Sequence, residues 1–286
     1  MTKRQSGAGR WLNPHFVDTE SARRLRDGLL GAQRLRQALK SGFALGTFVI
    51  ELPSPSTVLA LGLAGFDFIV LDMEHSSCDF HSLEPAILAA RQVGMTVLVR
   101  PYAEGSGAIG KILDLGAHGI MAPHVDSAQR AAEVIAEAHF SPAGKRGFSP
   151  LTPLDALQHP LHELNESTFV VLQIEGREGL ANIESIAQVG GIDALFLGPY
   201  DLALSLGVPP GSARVFDAAR RAVAKIPPGM AAGLYLDDAT HCGRWARIGF
   251  GLQCVSFDGR IFASGAGALT AAARRSALPA KPHKRR

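Results

Sequence analysis

The chain has 286 residues, of which 47% are hydrophobic and 19% are charged, with a formal net charge of +3. This composition excludes an intrinsically disordered chain, and the length suits one α/β barrel, a fold of about 250 residues. No run approaches the roughly 18 apolar residues of a membrane span, and no apolar segment follows Lys3, Arg4 and Arg10 as in a secretory signal, so we expect no membrane partner.

The two ends of the chain are basic. Residues 1–30 lack a clear period and are predicted to form an N-terminal extension, partly disordered. Residues 1–40 contain nine Lys or Arg against three Asp or Glu, and residues 276–286 form a basic C-terminal tail. Such ends are one feature of nucleic-acid-binding arms, but neither aromatic residues nor a motif accompanies the charge. We interpret both ends as solvated and expect no nucleic-acid partner.

Between residues 31 and 275, eight short apolar runs alternate with stretches of helical spacing. The runs are nearly continuous rather than alternating, which is typical of strands buried on both faces of a parallel sheet. These predicted strands are Phe43–Ile50, Asp67–Leu71, Thr96–Arg100, Gly119–Ala122, Phe169–Ile174, Ala194–Leu197, Ala231–Leu236 and Leu252–Phe257. The predicted helices are Arg34–Lys40, Ser82–Val93, Ala108–Leu115, Ala128–Ala138, Leu180–Gln188, Val215–Lys225 and Ala239–Arg247.

Eight strand–helix units in one chain predict an α/β fold of the (β/α)8 TIM-barrel type. The alternative is a doubly wound open sheet, which would carry a glycine-rich phosphate turn after its first strand. The segment after Ile50 reads Glu-Leu-Pro-Ser-Pro-Ser and contains no glycine. The sequence therefore favours a closed barrel, whose chemistry lies at the C-terminal ends of the strands.

Polar residues close five of the eight predicted strands. They are Asp72, Glu74, His75, Arg100, His124, Gln173, Glu175 and Asp201. Several have structural alternatives: Asp72, Glu74 or Asp201 could cap a helix, His75 could be a structural histidine, and Arg100 could form an ordinary ion pair. Glu175 is harder to explain in this way, because a carboxylate at the end of an apolar strand is costly to desolvate unless it is paired or bound to metal. The combination favours a functional site.

Glu175 and Asp201 are predicted to hold a divalent metal ion. Two carboxylates without nearby paired His or Cys form a hard-oxygen site, which suits Mg²⁺, Mn²⁺ or Co²⁺. The remaining coordination positions would accept the keto and carboxylate oxygens of a 2-oxo acid, and the ion would stabilise an enolate as a Lewis acid. Arg100 could reinforce that oxyanion, and His75 has the pKa range for moving the aldol proton.

Six segments occur in the order and spacing of a known family. Together they resemble the HpcH/HpaI family of class II aldolases, over roughly residues 38 to 272. The segments are Gly65–Ser76, Val99–Pro101, Leu113–Ala117, Pro142–Gly147, Gln173–Glu175 and Gly198–Leu202.

The resemblance implies a (β/α)8 barrel of the phosphoenolpyruvate/pyruvate type. It implies an aldolase that reversibly cleaves a 4-hydroxy-2-oxo acid to pyruvate and an aldehyde through a metal-bound enolate. It further implies a homo-oligomer, a hexamer or trimer of dimers that exchange C-terminal helices. The site residues that it implies are Glu175 and Asp201 for the metal; His75, Arg100 and Asp114 for catalysis, with Asp114 orienting His75; and Arg100, Gln173, Gly198, Pro199 and Tyr200 for substrate binding.

Three positions depart from the family pattern: Phe48, Pro153 and Tyr200. They lie where the resemblance predicts the aldehyde side of the pocket, so the acceptor is left unassigned. Two further functions stay open, a CoA-ester lyase of the malyl or citramalyl type and a catalytically silent barrel used for binding. The scarcity and odd number of cysteines favour a reducing cytoplasm.

Overall fold

The computed structural model of the protein describes residues 30–102, 107–149 and 161–277. The predicted N-terminal extension and basic tail lie outside the described residues, apart from Leu30 and the last two residues of the final helix. Pro153 also lies outside them. Among the described helices, none combines the length and the apolar character needed to cross a membrane.

Eight parallel strands form a closed barrel in which each strand pairs with the next and the last pairs with the first. This confirms the predicted fold class. The strands are β1 (Ala44–Val49), β2 (Phe68–Asp72), β3 (Thr96–Arg100), β4 (Gly119–Ala122), β5 (Phe169–Ile174), β6 (Ala194–Leu197), β7 (Ala231–Leu236) and β8 (Phe250–Phe257).

Helices surround the barrel and return the chain from each strand to the start of the next. In the described residues they are α1 (Gly31–Lys40), α2 (Pro55–Leu63), α3 (Phe80–Gln92), α4 (Ala108–Asp114), α5 (Ala128–Ala138), α6 (Leu161–Glu166), α7 (Arg177–Ala181), α8 (Ile183–Ala187), α9 (Pro199–Leu206), α10 (Ala213–Val223), α11 (Cys242–Arg247) and α12 (Asp258–Ala277).

The strands are apolar throughout because both of their faces are buried. In β2, Phe68 and Val70 belong to the core inside the barrel, whereas Ile69 and Leu71 belong to the core between the barrel and its helices. All four side chains are fully buried. This is why a continuous apolar run, rather than an alternating one, marked the strands in the sequence.

Helix α1 closes the barrel at the N-terminal ends of the strands. Ala32 and Leu35 join the core inside the barrel. The carbonyl oxygen of Gly31 accepts a hydrogen bond from the Thr96 hydroxyl at 2.8 Å. A Cβ on Gly31 would lie only 2.3 Å from the His118 ring, so a glycine is needed at this close approach. With this end covered, the C-terminal ends of the strands form the accessible end of the barrel.

Four of the described helices were not among the predicted ones: α2, α6, α9 and α12. Helices α2 and α9 both begin with proline at their first position, Pro55 and Pro199. Proline is favoured there, since its missing N–H has no helical partner and its φ angle already suits a helix. Five of the eight strands have the predicted bounds; β1 and β2 differ by one residue at each end, and β8 begins two residues earlier.

Asp258, the first residue of α12, fixes the loop that follows β1. Its side chain is buried and accepts hydrogen bonds from the backbone N–H groups of Ile50, Glu51 and Leu52, at 3.0, 3.2 and 2.6 Å. Hydrogen bonds from three donors to one carboxylate are strong because the acceptor is charged. The loop beyond β1 is therefore held against the barrel rim by the C-terminal helix.

We predict that Asp258→Ala lowers the free energy of unfolding by about 2–4 kcal/mol, because three backbone donors lose a charged acceptor. Chemical denaturation followed by circular dichroism measures this. The matched control is Asp217→Ala, whose carboxylate makes only an exposed ion pair with Arg220 at 3.7 Å, and its effect should stay within about 0.5 kcal/mol. Equal losses in the two variants would contradict the assigned role of Asp258.

Candidate active site

A cavity of about 380 Å³ opens at the C-terminal ends of the strands. This is the end at which barrel enzymes carry their chemistry. Its lining includes seven of the nine predicted site residues: His75, Arg100, Gln173, Gly198, Pro199, Tyr200 and Asp201. Glu175 lies directly behind Gln173 and Gly198, whereas Asp114 lies elsewhere.

Arg100 is held at the end of β3 by a two-pronged ion pair. Its Nε and Nη2 atoms donate to the two oxygens of the fully buried Asp72 at 2.8 and 2.6 Å. Nε also lies 3.3 Å from Glu74, and the guanidinium stacks 5.0 Å above the Phe48 ring. Burial alone would lower the pKa of Arg100, but the carboxylates of Asp72, Glu74 and Glu175 raise it. The guanidinium is thus a fixed positive charge facing the cavity.

Glu175 is a buried carboxylate in a crowded acidic environment. One of its oxygens accepts from the backbone N–H of His124 at 2.8 Å and lies 3.0 Å from Nδ1 of the same residue. Burial raises the pKa of Glu175, the His124 contacts lower it in part, and the charges of Asp201 and Glu74 raise it further. The ionised form of Glu175 is therefore unfavourable unless a positive charge lies close to it.

His124 bridges two of these carboxylates. Its Nε2 lies 3.1 Å from Glu74 while its Nδ1 faces Glu175. The backbone of His124 has a φ of +52°, in the left-handed region that few side chains favour. This conformation turns both the N–H and the ring of His124 toward the acidic cluster, and such strain is commonly concentrated at functional sites.

The absence of a side chain at Gly198 makes room for the Gln173–Glu175 pair. Gln173 donates from Nε2 to Glu175 at 2.5 Å. A Cβ on Gly198 would lie 2.7 Å from the same glutamate oxygen and 2.9 Å from the glutamine nitrogen. The Gln173 Oε1 and Glu74 Oε2 atoms are buried without a hydrogen-bond partner in the described residues. The glutamine oxygen is an acceptor available to a ligand, whereas the Glu74 oxygen has ion-pair contacts with Arg100 and His75 at 3.3 and 3.7 Å.

Asp201 lies in the first turn of α9 and lines the cavity beside Tyr200. The helix begins after Gly198, so Asp201 is not its N-cap, which was the structural alternative suggested by the sequence. The positive end of the helix dipole favours a carboxylate in this position. Asp201 remains free to face the cavity and acts on Glu175 electrostatically.

The predicted pairing of His75 with Asp114 does not form within one chain. Asp114 is the last residue of α4 and accepts from Nη2 of the buried Arg146 at 2.6 Å. Because α4 runs back toward the start of β4, its last residue is carried away from the rim on which His75 lies. His75 is largely exposed, and its Nε2 lies 3.7 Å from Glu74.

A second polar cluster at the cavity rim was not predicted. Asp237 follows β7 and Arg260 lies in the first turn after β8, and they pair with each other and with Tyr200 and Tyr235. The rule that located the other site residues, a polar side chain at the end of a strand, applies equally to these two strands. The predicted site residues follow strands two to six only, so Asp237 and Arg260 were not among them.

Comparison with known proteins gives consistent results. The family model described as HpcH/HpaI aldolase/citrate lyase matches residues 46–263. A hydroxypyruvate/pyruvate aldolase of Pseudomonas aeruginosa is 32% identical over 80% of this chain and 88% of that protein. A 4-hydroxy-2-oxo-heptane-1,7-dioate aldolase of Salmonella arizonae is 31% identical over 82% and 92%.

Similarity to solved structures extends over the same region. The crystal structure of the citrate synthase SbnG has a TM-score of 0.76 and 28% identity, and the alignment covers 85% of this chain and 99% of that one. The predicted family and enzyme class are confirmed by these matches. The chain belongs to the HpcH/HpaI aldolase/citrate lyase family and is a carbon–carbon lyase.

Proposed function

We propose that the protein is a divalent-metal-dependent aldolase that reversibly cleaves a 4-hydroxy-2-oxo acid to pyruvate and an aldehyde. The observation that carries this proposal is the juxtaposition of Glu175 and Asp201 with Arg100 at one end of a cavity large enough for a small 2-oxo acid. The aldolase names of relatives above 30% identity support the same reaction class.

The donor set fits a hard divalent cation. The charges of Asp201 and Glu74 both raise the pKa of Glu175, so three carboxylates lie close together, and the buried Gln173 Oε1 atom has no hydrogen-bond partner in the described residues. Oxygen ligands of this kind suit Mg²⁺, Mn²⁺ or Co²⁺. In the described part of the chain no group of three or more His, Cys, Asp or Glu side chains has metal-site geometry. We therefore assign two protein ligands, Glu175 and Asp201.

A cation held by Glu175 and Asp201 would supply Lewis-acid stabilisation of the negative charge on an enolate oxygen. Arg100 adds fixed donors directed at the same oxygen, and these require no reorganisation because Asp72 already orients them. The N–H groups of Tyr200 and Asp201, in the first turn of α9, have no helical acceptor and are suited to the substrate carboxylate.

His75 is the group that we assign to proton transfer. In the cleavage direction it removes the proton of the 4-hydroxyl group, the bond between C3 and C4 breaks, and the electron pair of that bond becomes the enolate of pyruvate. The aldehyde forms at C4, and a proton delivered to C3 completes pyruvate. An imidazole can both accept and donate this proton, and the exposed ring at the cavity mouth can exchange protons with solvent.

We also propose that the protein is a homo-oligomer. Helix α12 has 20 residues, of which only Asp258 is buried in the chain. Phe262 and Leu269 are 69% and 74% exposed on this helix. Large apolar side chains in such a position favour contact with another protein surface.

The crowding of the acidic site predicts a pH-dependent cost to stability. Because the pKa of Glu175 is raised, the folded state binds its proton more tightly than the unfolded state does. The protonated Glu175 therefore contributes most stability below its unfolded pKa of about 4.3. This contribution is lost as the pH rises through the pKa of Glu175 in the folded state. Glu175→Gln should therefore raise the melting temperature of chelator-treated protein at pH 7–8, with the gain fading toward pH 4. Gln173 can reverse its amide to accept from the new side chain.

Thermal denaturation across this pH range measures the effect, with the exposed Glu178→Gln as the matched control. A loss of stability at pH 7–8 that matches the loss at pH 4 would contradict the crowding of Glu175.

We predict that chelation abolishes pyruvate release from 4-hydroxy-2-oxo acids and that added Mn²⁺ or Mg²⁺ restores it. The same ions should raise the melting temperature of the wild type but not of Glu175→Gln or Asp201→Asn, because each variant lacks one carboxylate ligand. Glu178→Gln should behave as the wild type. Full activity in both chelated wild type and Glu175→Gln would disprove the metal assignment, and release of CoA products from malyl-CoA instead would support the alternative lyase.

We predict that Arg100→Lys lowers kcat by roughly 10²–10³, because lysine keeps the charge but loses the two-pronged pairing with Asp72 that fixes the remaining N–H donors toward the developing oxyanion. Steady-state kinetics at saturating metal measures this. Arg130→Lys, which changes only a surface pair with Glu133, is the control. If the loss appeared in KM alone, Arg100 would bind substrate without stabilising the transition state.

A further inference from the structure

The cavity has a second polar end, formed by Tyr200, Tyr235, Asp237 and Arg260, which we call the rim cluster. Asp237 accepts from the Tyr200 hydroxyl at 2.7–2.8 Å, from the Tyr235 hydroxyl at 3.4 Å, and from Nη1 of Arg260. Tyr200, Tyr235 and Arg260 all line the cavity. None of the catalytic steps assigned above uses the hydroxyl groups, Asp237 or Arg260.

An aromatic wall connects the rim cluster to the pyruvate end of the cavity. The ring centroids of Phe48 and Tyr235 are 6.0 Å apart, and those of Tyr235 and Tyr200 are 5.8 Å apart. Arg100 stacks on Phe48 at one end of this row, and Asp237 binds the tyrosine hydroxyls at the other. A molecule with its 2-oxo acid end at Arg100 would therefore extend its opposite end toward the rim cluster.

The hydrogen bonds determine what the rim cluster can offer to a ligand. Both tyrosine hydroxyls donate to Asp237, so they present lone pairs, as acceptors, to the cavity. Arg260 donates to Asp237 and to the Tyr200 hydroxyl oxygen, which keeps one further lone pair, and its guanidinium has further N–H donors. Burial and the neighbouring carboxylate raise the pKa of Tyr200, and burial also raises that of Tyr235, so both hydroxyls remain protonated.

The net charge of the rim cluster is zero. Arg260 contributes one positive charge and Asp237 one negative charge. Partial burial would raise the pKa of Asp237, but the hydrogen bonds from Tyr200 and Arg260 lower it, so the carboxylate is ionised at neutral pH. A hydroxyl group matches this surface because it both donates and accepts. A carboxylate only accepts and would face Asp237, and an alkyl group would leave the remaining N–H donors of Arg260 and the remaining lone pairs of the tyrosine hydroxyls without a partner.

We propose that the rim cluster is the acceptor subsite of the enzyme and selects short, neutral hydroxyaldehydes, with Asp237 positioning the two tyrosines and Arg260 for this contact. This inference rests on the proposed aldolase function, because it names the class of aldehyde that function would use. Arg260 donates to a ligand hydroxyl oxygen, and Tyr200 and Tyr235 accept from ligand hydroxyl groups.

The proposed function is tested first, and separately from the subsite. The protein is loaded with Mg²⁺ and kept free of Mn²⁺, and the exchange of the methyl protons of pyruvate in D₂O is followed by NMR. This exchange requires only the pyruvate end of the cavity. If the wild type does not catalyse this exchange, the aldolase proposal fails. If it does, the acceptor preference can be tested without ambiguity.

Acceptor preference is then measured as kcat/KM for condensation of pyruvate with glyceraldehyde, propanal and succinic semialdehyde. These represent a hydroxylated, an apolar and an anionic aldehyde. We expect the wild type to prefer glyceraldehyde by about tenfold or more over propanal, and we expect Arg260→Met and Tyr235→Phe each to lose most of that preference. Arg130→Met and Tyr102→Phe are the matched controls and should keep it, since neither residue lines the cavity.

A charge change distinguishes recognition from a merely structural role. Asp237→Asn leaves the shape of the cluster but gives it a net positive charge, so use of succinic semialdehyde should rise relative to glyceraldehyde. Pyruvate exchange together with an unchanged acceptor ratio in Arg260→Met, Tyr235→Phe and Asp237→Asn would overturn the proposal. A wild-type preference for succinic semialdehyde that Arg260→Met abolishes would also overturn it, and would assign Arg260 to an anionic acceptor.

Discussion

Closing eight parallel strands into one barrel forces the C-terminal end of every strand onto a single rim, while α1 covers the opposite end. Residues far apart in the chain therefore meet there, and most of them are charged. Asp72 and Arg100 are paired across neighbouring strands in register, which lets a carboxylate and a guanidinium be buried together. Glu175 and Asp201 make no comparable two-pronged pair with a guanidinium among the described residues, and this imbalance, an excess of negative charge, supports the cation site that we propose.

The imbalance is concentrated on Glu175. A paired buried charge adds little to stability, but an incompletely paired one is costly, and it persists only where the surrounding fold is stable enough to hold it. Gly198 shows how closely the backbone is fitted around this carboxylate, since even a methyl group there would collide with it. His124 adopts a strained backbone conformation on the other side. The buried charge of Glu175 and the strained backbone of His124 each lower the stability of the fold at the site that we propose for the cation.

The sequence predicted the barrel well because both sides of each strand are buried, so continuous apolar runs marked the strands directly. It also predicted that residues at the strand ends, such as Arg100 and Gln173, lie together at one end of the barrel, where they line the cavity. It did not predict which strand-end groups would contact each other. Asp72 had no role until its pairing with Arg100 was visible, and His124 joins two carboxylates that lie 101 positions apart in the chain, Glu74 and Glu175.

The remaining differences between the predicted and the observed structure concern helices rather than strands. Pro55 and Pro199 begin helices, and a single sequence does not distinguish a proline that begins a helix from one in a loop. Asp114 appeared suitable for orienting His75 because both belong to segments of one family pattern. Within one chain, the direction of α4 carries Asp114 away from His75 and Arg146 pairs with its carboxylate, so the role of Asp114 toward His75 stays a prediction. Direction in space is a property of the folded chain and not of the spacing of residues.

Helix α12 contributes to the two sides of the cavity at once. Asp258 grips the loop beyond β1, and Arg260, two residues later on the same rigid turn, contacts Asp237 beyond β7. A small rotation of this helix would therefore move the loop after β1 and the residues after β7 together. The width of the cavity is thus mechanically coupled to whatever holds the exposed length of α12 in place.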